Sequence, residues 1–191
     1  QGIQDSVAAY NMEAMTYPLP EKDGGYLAPE GAAAVIKQSG KKVLVMGMGM
    51  TRSPEITTFV QRILDGYICP LVMDADALIA LGELGERKDN KHPLVLTPHP
   101  GEMARLLNCN IKDVQDRRVD AVLAAAQKYK AVTVLKGSKT LIASPQGKLL
   151  VNTTGNPGMA TGGMGDVLAG IIGSFLGQGL EPLNAAALGV Y

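Results

Sequence analysis

Net charge is absent from this chain: 18 Lys and Arg balance 18 Asp and Glu over 191 residues. A neutral chain gives no electrostatic reason to bind nucleic acid or an anionic membrane, so neither is expected as a partner. Cysteine is scarce. Cys69 and Cys109 are the only two, with no partner at metal or redox spacing, which points to a reducing compartment and makes the cytoplasm the expected location. No apolar run nears the roughly 20 residues of a membrane span, and no signal peptide opens the sequence. Histidine is limited to two residues. With no Cys or second His near His99, zinc is not expected there, and no other metal site is read from the residues. The chain starts at Gln1 rather than Met and stops inside a helical pattern that begins at Pro182. One domain spanning 1–191, truncated at both ends, is the expectation.

Apolar residues make up 46% of the chain, enough for one sizeable core. Residues 1–28 are the least regular, broken by Pro18, Pro20, Gly24 and Gly25. A helix is expected from Pro29 to about Gln38, then a buried strand from Lys42 to Met46. Ser53-Pro54-Glu55 reads as an N-cap with Pro at the first helical position, followed by the stripe Ile56, Phe59, Val60, Ile63 and Leu64. Leu71–Met73 and Leu94–Thr97 read as strands, followed by helices at Ala75–Leu84 and Gly101–Leu107. One long helix is expected to bury Val119, Val122, Leu123 and Ala126, with Asp113, Asp116, Arg117, Arg118 and Lys128 on a solvated face. Ala131–Leu135 is a further buried strand. Thr140–Ser144 and Lys148–Asn152 flank Pro145-Gln146-Gly147 as a hairpin. Repeated strand–helix units predict an α/β fold, a mostly parallel sheet with helices on both faces. Ligands of such sheets bind beyond the carboxyl ends of the strands.

The most informative stretch is NTTGNPGMATGGMGDVLAG, residues 152–170. Five glycines lie between Gly155 and Gly165, where a turn alone needs one or two; such a backbone can approach a ligand closely. Val167, Leu168, Ile171, Ile172, Phe175 and Leu176 then recur at helical spacing, which predicts a helix packed on one face and starting between Gly163 and Asp166. The N–H groups of Gly163, Met164 and Gly165 would hold an anion at that helix end. Asp166 stands where an acid–base group beside a phosphate would stand. A glycine turn with an Asp at a helix start also serves structure alone.

Other strand ends carry polar groups. Gly47-Met48-Gly49 follows a strand, but Arg52 occupies the third glycine position of a dinucleotide fingerprint, so close backbone approach to some other ligand is read instead. Asp74-Ala75-Asp76 ends the next strand; Asp74 is a candidate site residue and Asp76 a structural one. TPHPGE, residues 97–102, holds His99 between two prolines as a candidate ligand contact. Lys136-Gly137-Ser138-Lys139-Thr140 misses the phosphate-loop spacing and reads as a turn whose backbone and Lys136 line a nucleotide.

Taken in order, VMGMGM, DADAL, TPHPGE, VLKGSKT and NPGMATGGMGDVLAG resemble the ribokinase-like superfamily, and more closely the ADP/ATP-dependent NAD(P)H-hydrate dehydratases. The resemblance runs from about Pro18 to Tyr191. It implies a ribokinase-like three-layer fold, a (6S)-hydrated NADH or NADPH substrate, and ADP or ATP with Mg²⁺ as phosphoryl donor. Substrate contacts are implied for Gly49, His99 and Asp166, and Asp74, from its place at a strand end, is the fourth substrate-binding candidate. Nucleotide contacts are implied for Lys136, Gly137, Ser138, Lys139, Thr140, Gly163, Met164 and Gly165. Asp166 would be the catalytic base, taking the proton of the C6 hydroxyl as it attacks the terminal phosphate; phosphate then leaves. A homo-oligomer, tetrameric by resemblance, and a fused or functional link to an NAD(P)H-hydrate epimerase are also implied. The alternatives are a ribokinase-like kinase of the thiazole or pyrimidine-precursor type, or a silent nucleotide-binding module.

Overall fold

The computed structural model describes residues 4–22, 25–40, 43–87 and 92–191. Gly24 and Lys42 lie outside these. In chain order the elements are α1 (Gln4–Tyr10), β1 (Glu21–Lys22), β2 (Tyr26–Leu27), α2 (Gly31–Lys37), β3 (Leu44–Met46), α3 (Pro54–Gly66), β4 (Leu71–Met73), α4 (Ala75–Leu84) and β5 (Leu94–Leu96). They continue with α5 (Pro100–Leu107), α6 (Ile111–Asp116), α7 (Arg118–Tyr129), β6 (Val132–Leu135), β7 (Leu141–Ala143), β8 (Leu149–Val151), a 3-10 turn at Pro157–Met159, α8 (Met164–Gly177) and α9 (Pro182–Val190).

The main sheet has the order β3-β4-β5-β6-β7-β8. The first four strands are parallel, and β7 and β8 form an antiparallel hairpin on β6. Side chains alternate between faces along each strand. Leu71, Met73, Leu94 and Leu96 therefore pack against α3 and α4 on one face, while Val72, Val95, Val132 and Val134 meet α8 and α9 on the other. The first face continues under α5, α6 and α7, where Leu135, Leu141 and Ala143 meet Met103, Val114, Val122 and Ala126. Helices on both faces of a mostly parallel sheet are what the strand–helix alternation predicts.

Local signals work where they are strong. Ser53 Oγ accepts from Ile56 N–H at 3.3 Å and Pro54 opens α3. Five apolar residues of α3 are then buried, each stabilising by about 1.5–3 kcal/mol. The hairpin turns at Ser144–Gly147, with Gly147 at φ +86°.

Three expectations are corrected. Residues 1–28 contain the short helix α1, whose described side chains are all outside the core. The single long helix is two, broken at Arg117 (φ −132°, ψ 51°). No Gly or Pro marks that break: α6 buries Val114 and α7 turns to lay Ala121, Val122, Ala125 and Ala126 on β6 and β7, so packing overrides propensity. Val119 ends 44% exposed instead of facing the core. In α8 the buried face is Ala169, Ile172, Gly173 and Leu176, whereas Val167 and Ile171 are exposed. Gly173 sets that face: a Cβ there would overlap Val45 of β3.

Candidate active site

β8 is antiparallel to β7, and β7 to β6, so β8 runs in the direction of the parallel strands. Its carboxyl end opens on the same edge as those of β3 to β6. The glycine loop therefore leaves from that edge, and α8 crosses back over the far face to pack on β3 and β4. This topology brings the start of α8 over the end of β4, where Asp74 stands.

Asp74 is 1% exposed. Its Oδ1 accepts from Ala75 N–H at 2.9 Å, capping α4, and from Lys136 Nζ at 2.7 Å. Lys136 also lies 3.8 Å from Glu102 Oε2. A Cβ on Gly165 would sit 3.2 Å from Lys136 Nζ and 3.3 Å from Asp74 Oδ2. An ammonium, the Asp74 carboxylate that compensates it and a helix N-terminus are thus juxtaposed at one point. Glu102 is buried, and that burial raises its carboxyl above the usual range, against the lowering effect of the His99 N–H, the Lys136 ammonium and His99 itself; Asp74 pushes the same way as burial.

His99 is the N-cap of α5. Its Nδ1 accepts from Gly101 N–H at 2.9 Å and Glu102 N–H at 3.3 Å, while Glu102 Oε2 accepts from His99 N–H at 2.7 Å. This reciprocal capping box puts the ring proton on Nε2, which lies 3.5 Å from Glu102 Oε1, and the side chain remains 57% exposed. Asp166 is exposed in the first turn of α8, and Gly163 before it adopts φ +86°.

The two glycines after β3 divide their duties. Gly47 (φ +129°) is pressed against the Asp74 carbonyl, which a Cβ would overlap, so its close approach is to the protein itself and not to a ligand. Gly49 (φ +68°) has nothing within 4 Å of a would-be Cβ and faces open space. Asp76 is structural: Oδ2 accepts from Thr51 N–H at 2.9 Å and Oδ1 pairs with Arg52 at 3.3 Å, tying this loop to α4. The 136–140 turn is fastened by Lys136 N–H to Pro98 O at 2.9 Å and by Thr140 Oγ1 to Gly137 O at 2.9 Å. The Lys136 ammonium leaves the turn and reaches Asp74.

Residues 2–191 match the Carb_kinase family model, described as NAD(P)H-hydrate dehydratase. The chain belongs to this family. The bifunctional NAD(P)H-hydrate repair enzyme Nnr of Moorella thermoacetica is 44% identical over 193 residues, covering 100% of this chain and 36% of its own. The ADP-dependent (S)-NAD(P)H-hydrate dehydratase of Neisseria meningitidis is 40% identical over 164 residues, 84% of this chain and 55% of its own. The crystal structure of ADP/ATP-dependent NAD(P)H-hydrate dehydratase from Bacillus subtilis, co-crystallized with ATP/Mg²⁺, has a TM-score of 0.79 at 27% identity, over 100% of this chain and 64% of that one. The fold is ribokinase-like. The chain thus spans from about a third to just under two thirds of the length of these relatives.

Two side chains of this dehydratase-family chain escape a motif reading. Glu102 is legible only as the fourth member of the His-x-x-Glu capping pattern, and its partnership with Lys136 depends on the sheet. Arg118 lies beside Gly137 although it belongs to the face of its helix that was expected to be solvated. No described helix is long and apolar enough to cross a membrane.

Proposed function

We propose that this domain, read as one unit over 1–191, dehydrates (6S)-hydrated NADH or NADPH at the expense of ADP or ATP. The observation that carries the reading is the approach of Gly165, at the start of α8, to Lys136 and Asp74 at the carboxyl edge of the sheet, with Asp166 next in that first turn. Asp166 takes the proton of the C6 hydroxyl as that oxygen attacks the terminal phosphorus and the nucleotide's bridging bond breaks. The N–H groups of Gly163, Met164 and Gly165, with the Lys136 ammonium, balance charge on the transferred phosphoryl group. Phosphate then departs from C6 as a proton is lost from the ring, restoring the dihydronicotinamide.

Gly49 and His99 line the substrate end; His99 presents Nε2–H to the hydrated ring. Asp74, buried and bonded to Lys136, serves by holding that ammonium. The turn Lys136 to Thr140, with Gly137, Ser138 and Lys139 between, carries the nucleotide. A divalent ion suits this set only as one carried on the phosphates. Asp74 and Glu102 offer few oxygens and share Lys136, which fits Mg²⁺ that keeps water and phosphate ligands.

A cytoplasmic homotetramer, linked or fused to an epimerase, is the cellular setting we propose; the bifunctional relatives leave room in their length for a second activity. The test incubates the protein with hydrated NADH and ADP or ATP and follows dihydronicotinamide absorbance with released phosphate. Restored absorbance supports the reading. A stable phosphate ester with no NADH would instead make the protein a ribokinase-like kinase.

A further inference from the structure

Arg118 is the one charged residue of α7 whose position contradicts its local surroundings. It is the first residue of the helix, where the macrodipole favours an acid and disfavours a cation. Its guanidinium is half-buried, and that desolvation lowers its pKa. Among the described residues no carboxylate pairs with it. Instead Nη2 donates to Leu135 O at 3.4 Å, at the carboxyl end of β6. Nη1 lies 3.2 Å from where a Gly137 Cβ would be. Gly137 has φ +133°, a conformation that side chains rarely adopt. The backbone conformation alone calls for glycine there, and the guanidinium lies close behind it.

A feature that breaks a local rule without local compensation is expected where function demands it. We propose that Arg118 is a positioning residue for the nucleotide. Laid against Gly137 and bonded to Leu135 O, it holds the 136–140 turn open in one conformation and places a fixed positive charge behind it. The turn's other fastenings, Lys136 N–H to Pro98 O and Thr140 Oγ1 to Gly137 O, fix its two ends; Arg118 braces the middle. Lys136 is turned away towards Asp74, which leaves Lys139 within the turn and Arg118 behind it as the cations there. The ligand class is a nucleoside di- or triphosphate, and the inference rests on the function proposed above.

The test compares wild type with Arg118→Met and Arg118→Lys by calorimetric titration of ADP and ATP, then by steady-state kinetics. Arg118→Met should weaken nucleotide binding about tenfold, the scale of one partly screened charge lost from behind the turn together with its bracing. KM for the hydrated cofactor and kcat at saturating nucleotide should stay within about twofold, since the brace touches neither. Arg118→Lys keeps the charge but loses the planar fork and should recover only part of the affinity. Melting curves of both variants show whether the fold is kept. If wild type binds neither nucleotide, the proposed function fails. If wild type binds and Arg118→Met binds equally well, or loses affinity only in step with a loss of folding, the positioning role fails.

Discussion

Replacing Lys136 with Met tests the centre of the site, because it removes the cation and keeps the bulk. Lys136 is 19% exposed and Asp74 2% at the side chain, with 2.7 Å between them. Removing one partner of a buried pair typically costs about 3–5 kcal/mol, because the other charge stays uncompensated. The lower end applies here: Asp74 Oδ1 keeps the Ala75 N–H at 2.9 Å, and Lys136 was partly solvated. A loss of about 3 kcal/mol lowers the melting temperature by roughly 6–12 °C in a domain of this size. The deficit should depend on pH. Glu102 is already raised above its ordinary value of 4.5 by burial, with Lys136 among the groups opposing that rise. Without Lys136 it rises further. A carboxyl raised in the folded state contributes stability that is complete below its unfolded pKa and lost as pH rises through the folded one. The gap between variant and wild type should therefore narrow as pH is lowered from 7.5 towards 4.5. Turnover of hydrated NADH should fall about 10²–10³-fold, as for loss of one preorganised donor to a developing anion. Urea melts across that pH range and the absorbance assay measure both. A variant melting within 2 °C of wild type and turning over within about threefold would refute the reasoning.

Asp166→Asn keeps shape and helix-start character but removes the base, so turnover should fall about 10²–10⁴-fold with unchanged melting; near wild-type turnover in the same assay excludes the base role. Gly173→Ala should destabilise by about 1–3 kcal/mol despite the roughly 1 kcal/mol that Ala gains over Gly in a helix, because its Cβ meets Val45 across the α8–sheet contact; a urea midpoint at or above wild type would contradict this. His92 is 5% exposed and set edge-on to Tyr67 at 6.4 Å, and burial, then Arg87, lowers its pKa below 6.5. Its depressed value means stability is complete above 6.5 and falls as the pH drops from there through the folded pKa. His92→Phe should flatten the wild-type decline in urea midpoint between pH 7 and 5, and an unchanged slope would count against it.

Local chemistry carried much of this protein without tertiary help. Ser53 and Pro54 start a helix because an oxygen acceptor and a preset φ answer the unpaired N–H groups there. The boundaries of β4 and α4 follow from a short apolar run ending at Asp74, and the 144–147 turn follows from Gly147. The glycine count between 155 and 165, with the apolar spacing after it, placed the start of α8 within the range from Gly163 to Asp166. None of these signals reaches across the chain. The pairing of Lys136 with Asp74, 62 positions apart, exists because parallel strands end on one edge. Gly47 answers to the Asp74 carbonyl, Gly173 to Val45, and Arg118 to Gly137, each through an approach between elements that no local pattern encodes. The break at Arg117 has the same origin: it lets α6 bury Val114 against α5 and α7 while α7 lays Val122 on the sheet, and burial outweighs the propensity of a residue with no reason of its own to stop a helix.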